Sequence, residues 1–153
     1  MTALTKFESW GLHFSKPSEE QVSLPADITT LSSEQLAETF TKLTAWADYV
    51  ASQHALAIID ERAAQRAMDF AENTMLVRRM NAGVKGERIT MVKAEISIDP
   101  KIVELTEAYE EKYAYRKLVE MLLSNHERDL SLVSREITRR ASDQRAIRKD
   151  WGV

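Results

Sequence analysis

The chain has 153 residues, 29% of them charged and 44% hydrophobic, with a formal net charge of −3 and no cysteine. That length and balance fit one folded domain, and the missing cysteines exclude disulfides, thiolate metal sites and a cysteine nucleophile. The first residues lack a basic segment leading into an apolar run and no stretch approaches a membrane span, which predicts a cytoplasmic protein with no membrane partner.

Residues 1–31 show no sustained period. Phe7, Trp10, Leu12 and Phe14 form an apolar cluster ahead of the loop-like stretch SKPSEEQVSLPAD. This reads as an N-terminal arm that docks either on the chain's own helices or on a neighbour. Residues 32–149 read as a helical hairpin domain. Ser32 fits an N-cap and Gln35 the third helical position, a capping box, with Leu31 and Leu36 spaced for a hydrophobic staple. From Leu36 the apolar positions step by four and three through Phe40, Leu43, Ala47 and Val50. No Gly or Pro follows until Gly83, so the pattern predicts a helix over 33–80. Its seam thins into Ala64, Met68, Ala71 and Met75, small and flexible side chains that suit close helix approach.

After a turn bracketed by Gly83 and Gly86 comes RITMVKAEISI. Val92, Ala94, Ile96 and Ile98 alternate with Lys93, Glu95 and Ser97, which predicts a strand over about 88–98. Asp99 then fits an N-cap and Pro100 a first helical position, with Ile98 placed to staple on Val103. The helix predicted over 100–149 carries Ile102, Thr106, Tyr109, Tyr113, Leu118, Leu122, Leu130, Val133 and Ile137, and residues 150–153 form a tail. The patch LVEMLL at 118–123 is apolar on most of its circumference and needs contacts on more than one side. The predicted fold is therefore mainly α: a long antiparallel helical hairpin with a short β-strand in its connection. A lone strand leaves both edges open, which predicts pairing between chains into a homo-oligomer, a ring being plausible. Val92, Ala94, Ile96, Ile98, Leu118 and Leu122 would form the interface.

Chemistry-bearing motifs are sparse. Neither GxxxxGK[ST] nor GxGxxG occurs. His13, His54 and His126 lie far apart, and His54, Asp60 and Glu61 lack the spacing that would gather them as metal ligands on one helix face. Glu107, Glu110 and Glu111 have Lys112 and Lys117 nearby and read as a solvated face. No nucleophile is paired with a base, so the expectation is a protein that is not an enzyme and uses neither metal nor cofactor.

Two basic segments stand out against the net negative charge. Arg78, Arg79, Lys85, Arg88 and Lys93 gather around the hinge against Glu87 and Glu95. Residues 134–149 carry six Arg or Lys against Glu136 and Asp143. There Arg135 and Arg139 share a helix face, while Arg140, Arg145 and Arg148 spread around it. That end reads either as a solvated C-terminus or as a phosphate contact. The hinge set, repeated in an oligomer, would add many weak phosphate contacts. Without aromatic side chains for stacking on bases, such binding would be electrostatic and indifferent to sequence.

The order of features, with Trp46 in LTAWADYV, an Ala-rich helical middle, a basic hinge, MVKAEISIDPKIVELTEAYE and the late SREITRR, resembles the phage recombination mediator family of T-even phages. The likeness spans about residues 36–140. It implies an oligomer, ring-like in the family, that binds single-stranded DNA and helps load a recombinase in the cytoplasm of an infected bacterial host. It also implies that Arg78, Arg79, Lys85, Arg88 and Lys93 face DNA, with Arg135 and Arg139 as further candidates. The alternative is a phage virion structural or assembly protein of the head or tail connector type, in which helical hairpins and a docking arm build a shell.

Overall fold

The computed structural model describes residues 3–11, 13–18, 20–82 and 89–150. Four α-helices run in chain order: α1 Ala3–Ser9, α2 Ser33–Asn81, α3 Ile89–Ser97 and α4 Pro100–Asp150, with a 3-10 turn at Ile28–Thr30. The mainly helical class and the two long helices hold. Among the described residues there is no strand.

The ends of the long helices follow from their capping residues. Ser32 Oγ accepts the Gln35 N–H at 3.1 Å while Gln35 Oε1 accepts the Ser32 N–H at 2.8 Å, so the capping box closes in both directions. At the start of α4, Asp99 Oδ1 accepts the Lys101 N–H at 2.9 Å, and Pro100 occupies the position whose missing donor costs nothing. Ile98 does not close a staple there, standing 75% exposed. Arg78 and Arg79 fall in the last turn of α2, where cations complement the helix dipole. The short α1 was not foreseen in the arm. It ends on Gly11, whose φ of 75° supplies the left-handed residue that receives the chain, with the Gly11 N–H on Glu8 O at 2.9 Å.

The chain divides into two compact units, residues 1–54 with 120–153, and residues 55–119. In the first, Leu36 and Leu43 of α2 meet Val133 of α4 in a fully buried cluster. Val22, Leu24 and Leu31 of the arm cover it, together with Leu130. This part of the arm therefore docks on the chain's own helices. Gln21 Nε2 lies 3.1 Å from Nε2 of the buried His126, and Lys16 Nζ sits 5.9 Å from the centre of the Trp46 ring, a cation–π contact. The pairing of Ser33 with Arg140, and of Leu43 with the Leu130–Val133 turn, makes the two helix segments antiparallel here.

In the second unit α2 and α4 are again antiparallel. Glu61 pairs with Arg116, and Thr106 donates to Met68 Sδ at 3.6 Å. The seam of α2 carries Ala57, Ala64 and Ala71 at seven-residue spacing, with Glu61, Met68 and Met75 between them, a coiled-coil-like repeat. Against this end packs α3, whose Val92 and Ile96 are 1% and 7% exposed in a cluster with Ile102, Ala71, Met75 and Leu76.

The strand expected at 88–98 is thus corrected to a helix over the described residues 89–97. Val92 and Ile96 are four apart, a spacing that puts side chains on one side of a strand and on one face of a helix alike. Ala94 and Ile98, the two positions that separate the patterns, are both exposed. A helix satisfies the backbone donors and acceptors of this segment internally, whereas a lone strand would leave them open. The ion pair of Arg79 with Glu95 adds a polar tie from α2 to α3.

A helical α3 makes Ile96 a core side chain and Ala94 a surface one. Ile96→Ala should cost about 2–4 kcal/mol, and Ala94→Thr only about 0.5 kcal/mol through helix propensity, both measured by urea unfolding. A strand would reverse the sign at Ala94, because threonine favours strands.

Candidate nucleic-acid interface

Around the α2–α3 connection the described basic side chains are Arg78, Arg79 and Lys93. Lys85 and Arg88 lie outside the described residues. Arg78 and Lys93 are exposed and make no ion pair among the described residues. Arg79 is half exposed and paired with Glu95. An open cleft of about 400 Å³ is lined by Met75, Arg78, Arg79, Glu95, Ile96 and Asp99. Its two arginines face two carboxylates, and the Asp99 carboxylate is already engaged in capping α4. An anion entering the cleft would have to displace Glu95 from Arg79. An exposed pair of this kind is worth only about 0.2–1 kcal/mol, so the competition is light. The cations open to a phosphate without any exchange are Arg78 and Lys93.

The C-terminal basic set divides differently. Arg135 is exposed with no ion pair among the described residues. Arg139 donates to both Glu136 oxygens at 2.8 Å and to Asp143 Oδ2 at 2.8 Å. Arg140 donates to Glu136 Oε1 at 2.7 Å, to the Thr29 carbonyl at 3.0 Å and to Ser33 Oγ at 3.5 Å. Glu136 is only 6% exposed. Hydrogen bonds from Arg139 and then Arg140 hold its carboxyl down at about 2, below its ordinary 4.5. Arg140 is therefore a structural tie between α4 and the end of the arm, a role that sequence reasoning missed. The i, i+3 and i, i+4 spacing of Glu136 from Arg139 and Arg140 was the available signal. Of the two candidates named at this end, Arg139 is largely neutralised by its carboxylates and Arg135 alone stands uncommitted.

The cross-subunit interface was expected through a strand, and the described residues 89–97 form a helix instead. Val92 and Ile96 are spent on the chain's own core. Ala94 and Ile98 remain on the surface. In the second unit Leu118 is 61% exposed, and in the first Leu122 is partly exposed, so both are open to a partner. Glu61, one of the acidic residues considered beside His54, is occupied by Arg116, with both side chains mostly buried. His54 Nε2, His126 Nδ1 and Trp46 Nε1 are buried polar atoms with no hydrogen-bond partner among the described residues. Among those residues no three His, Asp or Glu side chains come together as metal ligands, and no helix is long and apolar enough to cross a membrane.

The Glu136 clamp sets a pH dependence. Because the folded pKa lies below the ordinary value, the clamp's stabilisation is complete above about pH 4.5 and is lost as pH falls toward about 2. Glu136→Gln should lower Tm near neutral pH, and the gap from wild type should close between pH 4.5 and 2 in thermal melts followed by circular dichroism. A gap unchanged at pH 2 would mean that the carboxylate charge contributes nothing. No family model, curated protein or solved structure matches the chain.

Proposed function

We propose that the chain is a non-catalytic, mediator-like protein that binds single-stranded DNA as a homo-oligomer and helps load a recombinase in the cytoplasm of a phage-infected host. The observation that carries this reading is the pair of cations beside the α2–α3 connection, Arg78 and Lys93, exposed and without carboxylate partners among the described residues. On a chain of net charge −3, exposed cations without an ion pair offer a local positive field to a phosphate backbone. Such contacts position a backbone and carry no base specificity, and copies within an oligomer multiply them.

A second reading, a virion structural or assembly protein, is favoured by the large apolar side chains left open in the second unit, among them Phe70, Met91 and Leu118. In that role the same hairpin would be a building block and its cations incidental.

Binding of a labelled single-stranded oligonucleotide over a salt series separates the two. The wild type should bind at low salt, with log affinity falling against log salt by about 0.7 per phosphate neutralised. Arg78→Ala with Lys93→Ala should weaken binding and flatten that slope while leaving the oligomer mass unchanged. Arg139→Ala with Arg140→Ala should cost less affinity and more thermal stability, since those charges serve Glu136. Absence of any binding at low salt would leave the structural reading in place of the mediator one.

A further inference from the structure

The part of α2 in the second unit carries an apolar seam toward α4 and α3 and a second, uncovered one on its far side. Ile59, Ala63, Arg66 and Phe70 fall within a narrow sector at 3.6 residues per turn, about half a turn away from Ala57, Ala64 and Ala71. Phe70 is 75% exposed and Ile59 42%. Beside them runs an open groove of about 530 Å³ lined by Ile59, Arg62, Gln65, Arg66 and Asp69. Arg62 and Asp69 flank the seam on the same side, and neither makes an ion pair among the described residues. A helix with apolar side chains on opposite faces is a buried helix.

We propose that this face of α2 pairs with the same face of a second copy, antiparallel, about a two-fold axis passing between Ala64 and Gln65. The charges carry the choice of occupant, because the face is complementary to itself. In that register Arg62 and the partner's Asp69 share one edge of the contact, offset by two residues or about 3 Å along the axis, within reach of the long Arg62 side chain, and Asp69 meets the partner's Arg62 in the same way. Ile59 meets the partner's Phe70, and the long Arg66 side chain passes over the partner's small Ala63. A two-fold contact repeats each of these pairs, which makes it isologous and closed. A parallel pairing would put Arg62 and Asp69 on the opposite edge of the contact from the partner's Asp69 and Arg62, so neither charge would find its complement. About three turns per copy make a small interface, so the dimer should dissociate on dilution. The proposal does not depend on the DNA reading, and it gives oligomerisation a surface that the helical α3 does not provide.

The test is a charge swap read by sedimentation velocity over a concentration series. Arg62→Asp or Asp69→Arg alone should weaken association by about tenfold or more, because each places like charges opposite at both symmetric contacts. The double variant, Arg62→Asp with Asp69→Arg, should restore it, and so should mixing the two single variants. The absence of cysteine permits a second readout. A chain with Ala63→Cys should oxidise to a disulfide-linked dimer with a chain carrying Arg66→Cys faster than either does with itself. The proposal is overturned if the chain stays monomeric at all concentrations, if association ignores the charges, or if both single variants fold but neither the double variant nor the mixture recovers. Oligonucleotide binding at low salt, measured on the same variants, reports on the DNA reading separately.

Discussion

The repeat along α2 is the constraint on which the rest of the structure depends. Leu36, Leu43, Val50, Ala57, Ala64 and Ala71 stand seven apart on one helix with no Gly or Pro to interrupt it, and the side chain shrinks from leucine to alanine along the series. A seven-residue repeat keeps one face of a helix turned toward its partner. Where that face carries leucine, in the first unit, burial itself fastens the segment of α4 opposite, since a fully buried Leu contributes about 1.5–3 kcal/mol. Where it carries alanine, less apolar surface is removed from water. The second unit therefore draws its core from elsewhere: α3 supplies Val92 and Ile96, and Ile102 of α4 completes the cluster.

A seam of alanines and methionines is permissive about register, because small and flexible side chains fit many alignments. Polar groups within each unit supply the choice. Glu61 meets Arg116 with both side chains mostly buried, and sliding one helix by a turn would leave an unpaired buried charge, a cost of about 3–5 kcal/mol. In the first unit the tie between elements is Arg140, which Glu136 of the same helix orients and which donates to the Thr29 carbonyl and to Ser33 Oγ. The arm covers Leu36, Leu43 and Val133 with only Val22, Leu24 and Leu31, so its attachment relies on these ties as well as on apolar area.

Both long helices were legible in the sequence because their starts are written in short-range chemistry. A capping box at Ser32 and Gln35, and a capped proline at Asp99 and Pro100, need no tertiary partner to be recognised. The connection was not legible, because Val92 and Ile96 satisfy both periods and only the exposure of Ala94 and Ile98 separates them. The docking of Val22 and Leu24 was left open for a related reason: an extended segment shows no period, and its partners are split between Leu36 and Leu43 nearby in sequence and Val133 more than a hundred residues away. Among the candidate site residues, Arg78 and Lys93 are placed on the surface as expected of phosphate-facing cations. Arg139 was chosen for sharing a face with Arg135, whereas the buried Glu136 between them decides which of the two is available.

Charge commitment then sorts the molecule's surfaces. Every described arginine that meets a buried carboxylate, Arg116, Arg139 and Arg140, serves the fold, and its removal would strand an acid in the interior. Among the described cations with no such partner are Arg78 and Lys93 near the α2–α3 connection, Arg62 on the far face of α2, and Arg135. Arg78 and Lys93 make no ion pair among the described residues, although Arg78 lines a cleft with Glu95 and Asp99. Arg62 has Asp69 two turns along the same face, too far for a pair within one helix but correctly placed for a pair between two. An acid and a base on one strip, separated by two helical turns and flanking exposed Ile59 and Phe70, are the pattern that the proposed antiparallel pairing would use. A polyanion would meet Asp69 at that strip, whereas beside Arg78 the carboxylates are Glu95, already paired with Arg79, and Asp99, already capping α4. The two surfaces therefore differ in charge pattern: cations alone are uncommitted at Arg78 and Lys93, and one cation and one anion at Arg62 and Asp69.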